Sequence, residues 1–203
     1  MGIRQQYSSL TSFVGDPFVN FAIMALIVIG GIGFMTWDDI KTNGLKWKRY
    51  GMQSKVILTT TALLILIPAA YFFFFEFSDA PLNERIWSSF FQSVTPRTAG
   101  FNTVDLTTIS ETGCMIMIAL MLIGGSPGST AGGMKTTTFA VMLSNAVSVF
   151  RRREHTHFFG RRISSDTLRN AATIFMMYVT LCLVGGCAIS YMENLPLVTC
   201  LYE

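Results

Sequence analysis

Charge is the scarcest thing in this 203-residue chain. Asp, Glu, Lys and Arg together make up only 13% of it, about half the share of a soluble globular domain. The shortfall runs the whole length, and mean hydropathy is +0.47. Together these exclude an ordinary water-soluble fold and point to a membrane protein. A net charge of +3 is too small to hold a polyanionic backbone, so no nucleic-acid partner is expected. Histidine is nearly missing, and the two present, His155 and His157, sit in a basic loop where no metal site is expected. The four cysteines, Cys114, Cys182, Cys187 and Cys200, lie in apolar runs without metal-ligand spacing, which predicts small buried hydrophobes. The N-terminal MGIRQQYSSLTSF lacks the basic-then-apolar layout of a secretory signal. Gly2 lacks the Ser or Thr at the sixth position that myristoylation requires.

What is present is a set of long apolar runs. A helix needs about 20 apolar residues to cross a bilayer. Four segments qualify: Phe18 to Trp37, Val56 to Phe77, a broken one from about Leu106 to Phe150, and one from about Ala171 to Met192. Of the 15 basic residues, 11 fall in two connections: Lys41, Lys46, Lys48, Arg49 and Lys55, then Arg151, Arg152, Arg153, Arg161, Arg162 and Arg169. Both connections are expected to be cytoplasmic, which places the N-terminus outside. The Arg151–Arg153 run is chiefly a topology determinant, and it can also meet anionic lipid or an acidic partner.

The outward connection between the second and third spans holds LNERIWSSFFQSVTP, residues 82–96, bounded by Pro81 and Pro96. Fifteen residues make about 22 Å of helix, too short to span and suited to a re-entrant half-helix. Arg97 to Asn102 then forms a short polar loop, and Thr108 with Glu111 suggests a capping box opening the next helix. Phe72 to Phe75 read as lipid- or helix-facing bulk.

A short internal repeat supports this layout. Ala25 to Gly31 (ALIVIGG) aligns with Ala119 to Gly125 (ALMLIGG) at a constant offset of 94. The segment from Pro196 to Glu203 resembles the start of a second re-entrant helix, comparable to Ser88–Gln92. Three units follow. Residues 1–55 are the descending helix of a preceding repeat with its cytoplasmic loop. Residues 56–169 are a complete helix–pore loop–helix repeat. Residues 170–203 are the first helix of the next, ending in its pore helix. The expected fold is an all-α membrane protein of such repeats, with one re-entrant pore helix and one broken transmembrane helix.

Two stretches carry chemistry. Irregular backbone at membrane depth is tolerated only inside protein or against a water-filled cavity. A half-helix whose C-terminal, partly negative end points at Thr98-Ala99-Gly100-Phe101-Asn102 suits a cation. Gly100 has the conformational freedom to turn successive carbonyls toward one axis, where they can replace an alkali ion's hydration shell. The second stretch is GGSPGSTAGG: Gly124, Gly125, Ser126, Pro127, Gly128, Ser129, Thr130, Ala131, Gly132 and Gly133. Five glycines and a proline in ten residues must break the third span. A nucleotide-binding loop is excluded, because Met134 stands where its lysine must be. Lys135, the only lysine outside the first cytoplasmic connection, is either an ion-path residue or an interface anchor.

SVTPRTAGFNTVDL and IGGSPGSTAGGMKTTT resemble the Trk/Ktr/HKT superfamily of potassium transporter membrane subunits, nearest to its Ktr-type members. The likeness covers essentially the whole chain. It implies four helix–pore loop–helix repeats around one ion path, with Gly100 as the central glycine of the third filter and Thr98, Ala99, Phe101 and Asn102 flanking it. It implies that residues 124–133 gate the path just below. It also implies transport of K⁺, with Na⁺ as the alternative cargo, no bound cofactor and no enzymatic chemistry. A multi-pass place in the bacterial plasma membrane, contact with lipid, a homodimer and a cytoplasmic ring of nucleotide-binding regulatory subunits follow from the same likeness. Only one of four filters is visible, so the chain is expected to be a fragment that does not conduct alone. A secondary transporter with a broken-helix substrate site and a non-conducting interaction fragment remain the rival expectations.

Overall fold

The computed structural model describes residues 9–44, 46–153 and 155–202. Gly2 and Glu203 lie outside them. The first helix, α1 (Pro17–Ile32), starts where Asp16 accepts the amides of Phe18 (2.9 Å) and Val19 (3.2 Å), with Pro17 at its first position. Asn20 is fully buried one turn in. Its Nδ2 donates to the carbonyls of Phe13, Val14 and Asp16 at 2.9, 3.1 and 2.7 Å, tying the preceding turn to the helix. Asn20→Leu removes this donor: the Phe13 and Asp16 carbonyls keep the backbone amides of Asp16 and Asn20, and the Val14 carbonyl loses its side-chain partner beside an apolar group. The expected cost is about 2 kcal/mol, read as a lowered melting temperature of the chain in detergent micelles.

The expected first span is not one straight helix. Gly33 takes φ +89°, and the chain turns by 97° into α2 (Phe34–Asn43). Trp37 Nε1 donates back across the bend to the Ile29 carbonyl at 3.0 Å. From α2, the Asp39 carboxylate accepts Gly51 N–H (3.0 Å) and Ser54 Oγ (2.6 Å), fastening it to the start of α3 (Met52–Tyr71). The helical path continues past Tyr71 with a wider turn over Phe72–Glu76, closed by Phe77 N–H donating to Phe72 O at 2.9 Å. That turn splits the phenylalanines: Phe72 is fully buried, and Phe74 and Phe75 face outward.

The half-helix forms as expected, as α4 (Leu82–Val94). It packs between α1 and α3 through Phe91 and Val94 against Met24, Ile27 and Ile65. Its other buried residues are polar: Ser88, Ser89, Gln92 and Ser93. Ser89 Oγ returns to the Arg85 carbonyl and Ser93 Oγ reaches the Ile65 carbonyl, each at 2.6 Å.

The next helix, α5 (Glu111–Leu122), is capped by Ser110, whose Oγ accepts Gly113 N–H at 3.0 Å. The expected Thr108–Glu111 box is therefore displaced. Thr108 lies in a 3₁₀ turn and donates to the Asp105 carbonyl. Glu111 is already the first helical residue, so it cannot reach back. Glu76 takes the outer role, accepting Ser110 N–H (2.6 Å) and Oγ (2.7 Å).

After the loop comes α6 (Thr136–Phe150), then a two-stranded hairpin, β1 (His157–Phe158) and β2 (Arg161–Arg162), unforeseen in the basic connection. The last elements are α7 (Ser165–Glu193) and α8 (Leu197–Tyr202). Met52–Glu76 and Ser165–Glu193 are each long and apolar enough to cross a membrane, and the bent α1–α2 pair together makes a third such segment. The cysteine expectation fails on α7, which buries only Ala171 and Gly186. Cys182 and Cys187 lie on its uncovered faces and are exposed; Cys200 on α8 is buried.

Candidate functional site

The α4 helix ends at Val94, and Thr95 Oγ1 donates to the Phe101 carbonyl, pinching the following segment into a loop. Within it Thr98 (φ +63°) and Gly100 (φ +74°) both occupy the left-handed region. Glycine does so without strain, and threonine rarely does. Alternate left-handed residues rotate the peptide planes, and no hydrogen bond among the described residues uses the carbonyls of Thr98, Ala99 or Gly100. Thr98 and Gly100 are exposed and Ala99 is half-buried, so these acceptors are open to a partner from outside the fold. Asn102 anchors the far end: its amide donates to Ser9 Oγ at 3.1 Å, and its carbonyl accepts Leu10 N–H at 2.9 Å. Phe101 points outward.

Residues 124–133 fold into a compact loop beside this segment. A methyl group on Gly132 would stand 4.0 Å from Thr98 Cγ2. The neck of the loop closes with Gly124 N–H to Met134 O (2.9 Å) and Met134 N–H to Leu122 O (3.1 Å). Thr136 N–H donates to the Gly125 carbonyl at 3.1 Å, and Ser126 Oγ and Thr136 Oγ1 lie 3.1 Å apart, buried. Lys135 precedes the first residue of α6 and sends its ammonium to the Ala131 carbonyl at 2.9 Å. It thus ties the loop to the start of α6.

The loop also closes on the break in α1. Ser126 N–H donates to Gly31 O (2.9 Å), Thr130 N–H to Gly30 O (3.4 Å), and Phe34 N–H to Gly128 O (3.2 Å). A Cβ on Gly33 would come within 2.5 Å of the Pro127 carbonyl oxygen, so only glycine fits against that backbone. The carbonyls left over at the end of α1 and the amide left over at the start of α2 both find their partners in the loop. The two glycine pairs that align at an offset of 94 are thus the two sides of one lock.

Sequence reasoning missed Gly33, which lies two residues past the repeated Ile-Gly-Gly. It also missed Arg97 and Gln92. Both are buried, and Arg97 Nε and Nη2 and both amide atoms of Gln92 have no hydrogen-bond partner among the described residues. Arg97 Nη2 points toward the C-terminal end of α1, 4.0 Å from where a Gly31 methyl would stand. A guanidinium there meets the negative end of a helix dipole.

Long apolar helices, one of them in a sharply bent pair, with irregular backbone between shorter apolar helices, are the architecture of an α-helical membrane protein. The comparisons agree. The family model described as cation transport protein, TrkH, matches residues 1–203. The chain is 33% identical over 201 residues to Ktr system potassium uptake protein B of Bacillus subtilis, covering 96% of this chain and 45% of that protein. It is 36% identical over 193 residues to potassium/sodium uptake protein NtpJ of Enterococcus hirae, covering 93% and 43%. The crystal structure of the potassium transporter TrkH from Vibrio parahaemolyticus superposes with a TM-score of 0.73 at 19% identity, covering 91% of this chain and 41% of that one. The chain belongs to the TrkH cation transport protein family. It spans less than half the length of the relatives it matches.

Proposed function

We propose that this chain supplies one filter segment and one intramembrane gate to a potassium-conducting membrane protein. The observation that carries this is the run of carbonyls at Thr98, Ala99 and Gly100 without hydrogen-bond partners among the described residues, with Gly132 of the 124–133 loop beside the Thr98 side chain. Carbonyl oxygens in such a row replace the water around an alkali cation. The sign of the cargo follows from helix ends. The α4 helix leads into the segment by its C-terminus, which favours a cation, and an anionic substrate would call for the opposite end. Thr98 to Asn102 hold the ion, the loop closes the path below, and Lys135 steadies the loop. Conduction follows the membrane potential and involves no covalent step and no cofactor. K⁺ is the cargo; the name of the Enterococcus relative puts Na⁺ beside it.

The same reading places the chain in a bacterial plasma membrane, in a homodimer of membrane subunits, with a nucleotide-binding regulatory ring meeting the two basic connections. The test is K⁺ uptake by the full-length gene in a strain stripped of its own uptake systems. Gly100→Val forces a branched side chain into φ +74° and is expected to abolish uptake at unchanged membrane abundance. Wild-type uptake by that variant would refute the filter assignment. The 203-residue chain by itself is expected to restore none.

A further inference from the structure

Away from the candidate ion path, two cavities lie side by side. The first, about 440 Å³, is an apolar groove between α3 and α6, lined along α3 from Val56 to Pro68 and along α6 by residues such as Leu143 and Val147. The second, about 540 Å³, lies at the N-terminal end of α3 and is lined by Gln53, Arg162, Ser164 and Thr167 among others. Val56 and Phe158 line both, so the second cavity adjoins the lower end of the groove as a mouth of mixed character, with Met52, Val141 and Ile163 beside its polar residues.

Two features say what fills it. The first is length. Val56 to Pro68 is about 18 Å of helix at 1.5 Å per residue, close to one leaflet, or half, of a roughly 30 Å hydrocarbon core. The second is charge. The mouth lies on the side to which the basic connections assign the cytoplasm. Arg162 lines it, and the ion pair found among the described residues joins Arg169 to Asp166 and leaves Arg162 free. A free guanidinium with an amide and hydroxyls at the rim of an apolar slot matches a phosphate joined to a hydrocarbon chain.

We propose that this groove holds one anionic phospholipid, with an acyl chain along α3 and its phosphate at Arg162. The site is separate from the filter and the 124–133 loop, so it stands or falls independently of ion conduction. The test is native mass spectrometry of the purified chain in detergent, titrated with phosphatidylglycerol or with phosphatidylcholine of the same acyl chains. The wild type is expected to retain one phosphatidylglycerol and to prefer it about fivefold, the worth of one arginine near an anionic headgroup. Arg162→Gln is expected to erase the preference, whereas Arg161→Gln, in the same hairpin but outside the mouth, keeps it. Leu143→Trp fills the groove and is expected to reduce retention of both lipids; Leu143→Phe serves if the larger residue disturbs folding. The proposal is overturned by equal retention of the two lipids, by equal effects of the two arginine variants, or by unchanged retention when the groove is filled. Inorganic phosphate binding at Arg162 without lipid retention overturns it, and so does a lipid-free dimer that closes the groove.

Discussion

Gly124→Ala is expected to unfasten the 124–133 loop while leaving the helices standing. The added methyl would fall on the Gly132 carbonyl oxygen and within 2.7 Å of Gly132 C and 3.0 Å of Gly133 Cα. These are backbone atoms at the neck of the loop, so no side chain can rotate away to make room. The two strands of the neck must part, and with them go the bonds from Gly124 N–H to Met134 O and from Gly125 N–H to Gly132 O. Forcing atoms into a space this tight costs about 3 kcal/mol, the upper end of the usual overpacking penalty. A local opening made easier by that amount speeds amide exchange about 100-fold. The expected record is therefore roughly 100-fold faster exchange at Ser126, Met134 and Thr136, with the amides of α7 unchanged. Unchanged exchange in the loop, or equal acceleration everywhere, would show that the neck does not hold it. In the full-length transporter, the proposed gate should then leak K⁺.

Gly33→Ala attacks the same lock from the other side. Alanine at φ +89° and ψ +147°, a region essentially confined to glycine, is strained by about 1–3 kcal/mol. Its methyl also meets the Pro127 carbonyl oxygen at 2.5 Å, adding about 1–3 kcal/mol. The response should differ from that at Gly124. Relief comes by swinging α2 away from the loop, so the 97° bend should change and the amides of Phe34 and Ser126 should exchange faster. Spin labels on α1 and α2 would read the bend directly. The decisive measurement is the double variant. If both changes break one lock, their costs overlap, and the pair should destabilise by clearly less than the sum. Additive costs would mean that the neck of the loop and the bend in α1–α2 are independent.

Much of the fold was legible because its signals are one-dimensional. Apolar run length marked α3 and α7, and two prolines bracketed α4. The glycine-rich stretch marked the break between α5 and α6. The loop after α4 was legible from position: a polar, glycine-containing stretch following a helix too short to span. What escaped depends on contacts between distant residues. The bend at Gly33 looks like continuous apolar helix, since Ile-Gly-Gly-Ile-Gly keeps hydropathy high. Only the approach of Pro127 makes glycine obligatory there. The cap of α5 went to Ser110 rather than Thr108 because Glu76, 34 residues earlier, holds Ser110 in place. The exposure of Cys182 and Cys187 reflects how little of α7 is covered, which composition cannot show.

The shared lock sets an order of events during synthesis. Once the chain is bent at Gly33, the carbonyls of Gly30 and Gly31 lose the helix amides that a straight helix would offer, and the donors that replace them, Thr130 and Ser126, leave the ribosome about 100 residues later. At 5–20 residues per second, that is roughly 5–20 s in which a bent first crossing carries unsatisfied backbone groups. In hydrocarbon such groups cost several kcal/mol each. The first crossing must therefore wait in a wetter place, or remain a straight helix, until the third arrives. The bend in α1–α2 is then the last part of this region to acquire its shape, and a nascent chain stopped before Ser126 should lack it.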